Sequence, residues 1–368
     1  MFPFTGKGHL LIAHCQTGNY TFLLYIYPKE YFLLDTLTHI VLGACIGEAT
    51  AGKILGRKAM VAGALAQSIP DIDFLAYFWL DQTDNLLAHR GFTHSIIFAL
   101  VITAILSAGS RKIFHKRKFT WRYGLLLFGL NIFCHLFIDA FNAYGVGWFE
   151  PFTHQRFSFH LLFVADPLFS IWPFLGLIAM LVFYRRIAVK KMAWSIGLGL
   201  SVLYLFYAVV NKLSVEAGVR RQLTMRGIAY QSFFTTPSPF NTWLWFVVIK
   251  DKKGFYTGYR SVFDNKFMDL SYAPQNDSLL AEVKYRDEVN DLLRFARNYY
   301  TVEKTNDTVV FNILRFGKIA GWYQQDTKFA FYYYFDKPGA NQFLVQRGRF
   351  SNWNRETIRV FIRRIKGN

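Results

Sequence analysis

Four short stretches in the apolar N-terminal half of the chain carry the residues that could do chemistry: Asp35-Thr-Leu-Thr-His39, Pro70-Asp71-Ile-Asp73, His89-Arg90-Gly-Phe-Thr-His94 and His135-Leu-Phe-Ile-Asp139. In the first and last, a His and an Asp stand one helical turn apart on the same face. All four lie at the edge of, or inside, apolar segments, where an ionisable group is costly unless paired, solvated or bound to a metal. Neutral imidazole with carboxylate is the ligand set of zinc and related divalent ions. The expected ligands are His39, Asp71, His89, His94, His135 and Asp139, with Asp35 as a supporting residue or alternative ligand that also suits a helix N-cap. His135 and Asp139 carry the reading furthest, because they sit inside the strongest apolar span.

So many candidates exceed the needs of one closed structural site. They suit two ions, or one ion with a general base and supporting partners. The expected cofactor is therefore one or two divalent ions, zinc first, with manganese or iron as alternatives. Asp73 is read as the base that accepts a proton, and Arg90 as the group that holds an anionic substrate bidentately. Thr38 and Thr93 precede two of the histidines and would orient them. His154 and His160 read as loop residues near the site entrance, and His9, His14 and His115 fall outside it. Cys15, Cys45 and Cys134 form no CxxC pair, which argues against a disulfide framework.

The elements that must position these residues are membrane helices. Of 368 residues, 53% are hydrophobic, with a net charge of +18 and a mean hydropathy of +0.18. That is too apolar for an ordinary soluble enzyme and too polar for a chain wholly in the membrane. No nucleic-acid motif accompanies the positive charge, which fits cytoplasmic loops and anionic lipid instead. Apolar segments at 36–51 and 58–69 read as a hairpin whose small residues permit close packing. Further spans are expected at 95–108, 121–141, 168–184 and 193–210. The fold class expected is an α-helical polytopic membrane bundle of four to six helices with a C-terminal α+β extramembrane domain. The basic runs Arg111–Lys118 and Arg185–Lys191 should face the cytoplasm. All four His/Asp stretches then fall on the opposite, outer face, and the last span leads outward.

Three regions follow. Residues 1–34 read as an N-terminal extension, disordered or belonging to a misassigned start. Residues 35–212 form the membrane domain with the site. Residues 213–368 form the α+β domain, expected outside the cytoplasm. In it, aromatic alternation marks strands at 243–249, 255–263, 307–315, 319–323, 328–335 and 342–347, with a turn at Asp336–Gly339. One helix is expected over 278–298, with Leu279, Val283, Val289, Leu292 and Leu293 as its stripe.

At these motifs the chain resembles the YdjM-like family of membrane-bound proteins, which are inferred metal-dependent hydrolases. The matching pattern is DxxTH at 35–39, a Gly-rich stretch, PDID at 70–73, HRGFTHS at 89–95 and HxxxD at 135–139, covering roughly 35–180. The C-terminal run from Pro237 to Trp243 is similar to the longer members. The resemblance implies a polytopic inner (cell) membrane protein with a hydrolase-like metal site, and a start immediately before DxxTH. It supplies no substrate. The function expected is hydrolysis of an amphiphilic substrate, such as a phospholipid or isoprenoid phosphate, at the outer membrane face. The expected partners are membrane lipid and that small amphiphile, without nucleic acid. The alternatives are a metal transporter or sensor, and a non-catalytic envelope assembly protein with a structural metal.

Overall fold

The computed structural model describes residues 29–115, 118–305, 308–324, 326–335 and 353–368, with side chains from residue 35. The expectations for residues 1–28, for the turn at 336–339 and for the strand at 342–347 lie outside the described residues.

The expected hairpin is present as α1 (Lys29–Leu55) and α2 (Arg57–Ser68), joined at Gly56, whose φ of 59° suits glycine. The two helices lie backbone to backbone. A Cβ on Gly47 would overlap the carbonyl oxygen of Ala59, and one on Gly63 would overlap that of Gly43. Overfilling such a contact typically costs about 1–3 kcal/mol. Gly47→Val is therefore expected to lower the melting temperature of the detergent-purified protein. Gly199→Val, where nothing lies within 4 Å of the new Cβ, should leave it within error.

After α2 the chain runs through a 3-10 segment, Pro70–Phe78, then α3 (Gln82–Ala88) and a 3-10 turn, Phe92–His94. Helix α4 (Ile96–Ile113) starts at Ser95, whose hydroxyl accepts from the Phe98 backbone N–H. Helix α5 (Trp121–Asp139) contains a π-helical turn over Leu125–Gly129. Helix α6 (Pro167–Val182) is capped by Asp166, which accepts from Leu168 N. Helix α7 (Ile187–Met225) is 39 residues long. Among the described residues three helices, α4, α5 and α7, are long and apolar enough to cross a membrane, and α6 is apolar but shorter.

Helix α7 passes through the expected boundary at 212/213 without a break. Its apolar spacing continues past the membrane segment, and Val215, Val219 and Leu223 pack on Trp245, Val247 and Ile249. One helix thus serves both the apolar bundle and the β region.

Among the described residues the β region holds two antiparallel sheets. The first joins β1 (Ser232–Pro237), β2 (Leu244–Lys250), β3 (Gly254–Ser261) and β4 (Ser271–Pro274) in sequence order. The second joins β5 (Tyr300–Thr305), β6 (Thr308–Lys318) and β7 (Phe329–Tyr334). The single helix expected over 278–298 is divided. A 3-10 segment, Asp277–Glu282, ends at Val283 in extended backbone, and α8 (Arg286–Ala296) follows. Of the expected stripe Val283, Val289 and Leu292 are buried, Leu279 and Leu293 only partly, and Leu280 takes the buried place beside Leu279. The strand expected at 319–323 is instead the turn that follows β6, where Ala320 has a φ of 49°. The last helix is α9 (Arg355–Ile365), with a capping box at Asn354. Ala143, just beyond α5, joins the core made by Leu292, Phe295 and Phe331, so the β region packs against the end of the bundle where α5 finishes.

Candidate metal centre

That end of the bundle is where the four His/Asp stretches meet. The α1 helix brings Asp35 and His39 one turn apart. Pro70 opens the 3-10 segment that turns Asp71 and Asp73 inward, and the short turn before α4 presents His94. The last turn of α5 brings His135 and Asp139. His39, His94, His135 and Asp139 are each no more than 1% exposed.

Two groups of donor atoms form there: Asp71, His94, His135 and Asp139, and beside them Asp35, His39 and Asp139. Asp139 belongs to both. In the first group, the Nε2 atoms of His94 and His135 face each other at 3.1 Å. Asp71 Oδ1 lies 3.6 Å from the first and 3.5 Å from the second. Asp139 Oδ2 lies 3.3 Å from the first and 3.6 Å from the second. Four ligands at ~2.0–2.2 Å from a tetrahedral ion stand about 3.3–3.6 Å from one another. The donors are therefore spaced as the edges of such a polyhedron. Among the described residues His135 Nδ1 is buried without a hydrogen-bond partner, and two imidazoles aimed nose to nose between carboxylates suit a cation better than one another. The residues present fit a divalent ion.

The surroundings hold this arrangement. Asp73 lies behind His94, 3.4 Å from Nδ1, on the side away from the other donors. It also accepts from the Arg90 backbone N–H at 2.7 Å and from Thr93 Oγ1 at 3.4 Å. Burial opposes the charge on Asp73, yet His89, His94 and the Arg90 N–H together hold its carboxyl below the ordinary range. His39 stacks on His135 with ring centres 3.9 Å apart and reaches Asp139 Oδ1 from Nε2 at 3.3 Å.

Three sequence expectations meet a different placement. Asp73 is read as a proton acceptor, but its carboxylate is enclosed by four donors. His89 is read as a ligand, but it stands outside both groups and pairs with Asp73 at 3.3 Å. Arg90 is read as an anion clamp, but its buried guanidinium is turned onto the carboxylates, with Nη2 at 2.8 Å from Asp35 and Nε at 3.1 Å from Asp139. The spacing of motifs carries residue type and side of the membrane, but not which way a side chain turns once neighbours of opposite charge compete for it. His154 pairs with Glu150 in the loop beyond α5, at 2.8 Å.

Sequence reasoning missed the cleft beside Asp139. Asp35, Thr38, Asn142, Asp166 and Ser170 line it, with Leu162, Phe163 and Phe169 as apolar walls. Thr38 and Ser170 share a hydrogen bond of 2.7 Å, and Tyr204 donates to Asp166 at 3.0 Å. Asp166 caps α6, and its position across from Asp35 depends on how α6 packs on α1. Tyr144 was also missed. Its ring centre lies 5.3 Å from the Arg90 guanidinium carbon and edge-on to His89.

Apolar helices that gather buried His and Asp residues at one end, joined to an antiparallel β region, define an integral membrane protein with a cluster suited to a metal ion. The chain belongs to the YdjM inner membrane protein family, whose model matches residues 34–215. It is 30% identical to the inner membrane protein YbcI of Escherichia coli (strain K12) over 127 residues, which is 33% of this chain and 69% of that protein. It is 31% identical to the uncharacterized protein YfhP of Bacillus subtilis (strain 168) over 147 residues, covering 38% of this chain and 43% of that protein. No solved structure matches the chain.

Proposed function

We propose that this inner membrane protein is a metal-dependent hydrolase of an amphiphilic, phosphoester-like substrate at the outer face of the membrane. The observation that carries the reading is the donor spacing of His94, His135, Asp71 and Asp139, with Asp139 shared between both groups. We take one ion rather than two, zinc first, because Arg90 already lies against Asp35 and Asp139, where a second cation would compete with it. When bound, a divalent ion supplies Lewis acidity and lowers the pKa of water in contact with it.

The chain's own residues do the rest. His94, His135, Asp71 and Asp139 bind the ion. Asp73 orients His94 through Nδ1, and His39 holds the other oxygen of Asp139. Such supporting contacts fix ring orientation and donor basicity. Asp35 both lines the cleft and reaches the centre, and at 22% side-chain exposure it is the more open of its carboxylates. It takes the role of proton acceptor that the sequence suggested for Asp73. The cleft is about 10 Å³, room for about one water molecule beside Asp35.

The basic residues Arg111 and Lys112 at the end of α4, and Arg185 and Arg186 before α7, stand at the helix ends opposite the His/Asp cluster. This supports an outer-face site by the positive-inside rule. It also supports a C-terminal part outside the cytoplasm, and a bundle of four to six spanning helices that includes α1, α2 and α6. Membrane lipid and the small amphiphile are the partners, without nucleic acid.

A second reading is a metal that only braces the bundle. It is favoured by the closure of the four donors, of which only Asp71, at 16% side-chain exposure, opens outward. Asp35→Asn separates the two. On the hydrolytic reading it retains the metal and loses roughly 10²–10⁴-fold in turnover of lipid phosphoesters, with a lower melting temperature from the weakened Arg90 ion pair. Metal-loaded, folded wild type that turns over no lipid phosphoester would leave the bracing role alone.

A further inference from the structure

The loop that follows α5 is surrounded by positive charge that the metal centre does not use. Arg315, 1% exposed, bonds Ala143 O through Nη1 and Phe295 O through Nη2, both at 2.7 Å. Its Nε is buried without a partner. Arg297, half-buried, reaches Tyr144 O through Nη2 at 3.5 Å. Arg156, also half-buried, bonds His89 O at 2.8 Å and Leu87 O, again through Nη2. A Cβ on Gly145 would overlap Arg297 Nη2 and crowd Phe157 O, so the loop is stripped to backbone where the guanidinium passes.

Among the described residues, none of these three arginines has a carboxylate at ion-pair distance. Glu150, the carboxylate that favours the charge on Arg156, is already engaged by His154 and Arg294. Burial pushes Arg156 down to about 9, with Arg297, Arg90 and Arg294 adding to it, and burial pushes Arg297 down to about 10. Arg315 is driven well below the ordinary arginine value by burial and then by Arg297 and Arg156. The guanidinium groups repel one another in a partly dry site, an arrangement that costs free energy until a counter-charge arrives.

We infer that Arg156, Arg297 and Arg315 form a binding site for a phosphate-type anion, on the β-region side of the metal centre. Planar guanidinium forks match phosphate oxygens bidentately. Carbonyls bonded only through Nη2 leave Nε and Nη1 of Arg156 and Arg297 without a protein acceptor among the described residues. Tyr144 links the two sites, since its carbonyl bonds Arg297 while its ring lies against Arg90 and His89. The inference stands on the arginines and not on the metal. The anion has two possible sources, free phosphate or the phosphate of a lipid headgroup.

The test is thermal denaturation of the full chain in detergent. One arm adds inorganic phosphate against chloride at matched ionic strength. The other compares mixed micelles of phosphatidic acid with phosphatidylcholine. A ligand that binds the folded state raises the melting temperature. Protection by inorganic phosphate identifies a soluble anion, and protection by phosphatidic acid alone identifies a lipid headgroup. In Arg156→Gln and Arg297→Gln the apparent dissociation constant should rise at least tenfold. Lys284→Gln, a charge loss at an exposed position of the β region, should leave it unchanged, and Arg297→Lys should fall between. His135→Ala should retain the effect, which separates this site from the metal centre. The inference is overturned if neither anion protects the wild type, if protection persists undiminished in both Gln variants, or if it vanishes in folded His135→Ala.

Discussion

Asp139→Ala is expected to lose the metal and about 3–5 kcal/mol of stability together, the range found when one partner of a buried charge pair is removed. One oxygen of Asp139 faces His39 Nε2 at 3.3 Å, and the other lies 3.1 Å from Arg90 Nε and 3.3 Å from His94 Nε2. Arg90 is itself 2% exposed. Removing the carboxylate leaves a guanidinium inside the protein with, among the described residues, only Asp35 at ion-pair distance. The double variant Asp139→Ala/Arg90→Met should recover much of the melting temperature and none of the metal. That split distinguishes the two roles of one residue, because the stability term couples to Arg90 and the metal term does not. An Asp139→Ala protein that melts with the wild type would contradict the buried network.

The second large effect follows from removing the ion. Four donors, with each imidazole 3.1–3.6 Å from the other and from both carboxylates, gather in a dry cluster, and a bound cation favours the folded state that assembles them. At a free metal concentration ~1,000 times the dissociation constant, that linkage is worth about 4 kcal/mol. Chelation of the purified protein should therefore lower its melting temperature by several degrees, and re-addition of zinc should restore it. In His94→Ala and His135→Ala the curves with and without chelator should superimpose. A melting temperature indifferent to chelator in the wild type would count against a resident ion.

The residues of this centre were legible in the sequence, and their side-chain roles were not. His135 and Asp139 announced themselves because nothing but a partner or an ion justifies them in an apolar span. The same argument carried Asp35, His39, Asp71 and His94 to one end of the bundle, since alternate helix ends share a membrane face. It did not give the directions in which Asp73, His89 and Arg90 turn. These lie close in sequence or space to the donors, and their orientation depends on a competition among charges that no spacing encodes. The Arg156, Arg297 and Arg315 cluster was invisible for a related reason: its members come from the loop after α5 and from distant parts of the β region. The fold was readable where periodicity is strong, as in the α1–α2 hairpin and strands β2, β3 and β7. It was misread where one pattern runs through a change of backbone, at the break after Glu282 and along α7 beyond residue 212.

The central claim is that His94, His135, Asp71 and Asp139 hold a divalent ion. Elemental analysis by plasma mass spectrometry of the detergent-purified protein, wild type beside His94→Ala and His135→Ala, tests it most directly. The expected result is one equivalent of zinc, manganese or iron in the wild type and less than a tenth of that in either variant. A folded wild type that stays metal-free after reconstitution with each of these ions would contradict the account and leave the cluster as a buried hydrogen-bond and ion-pair network.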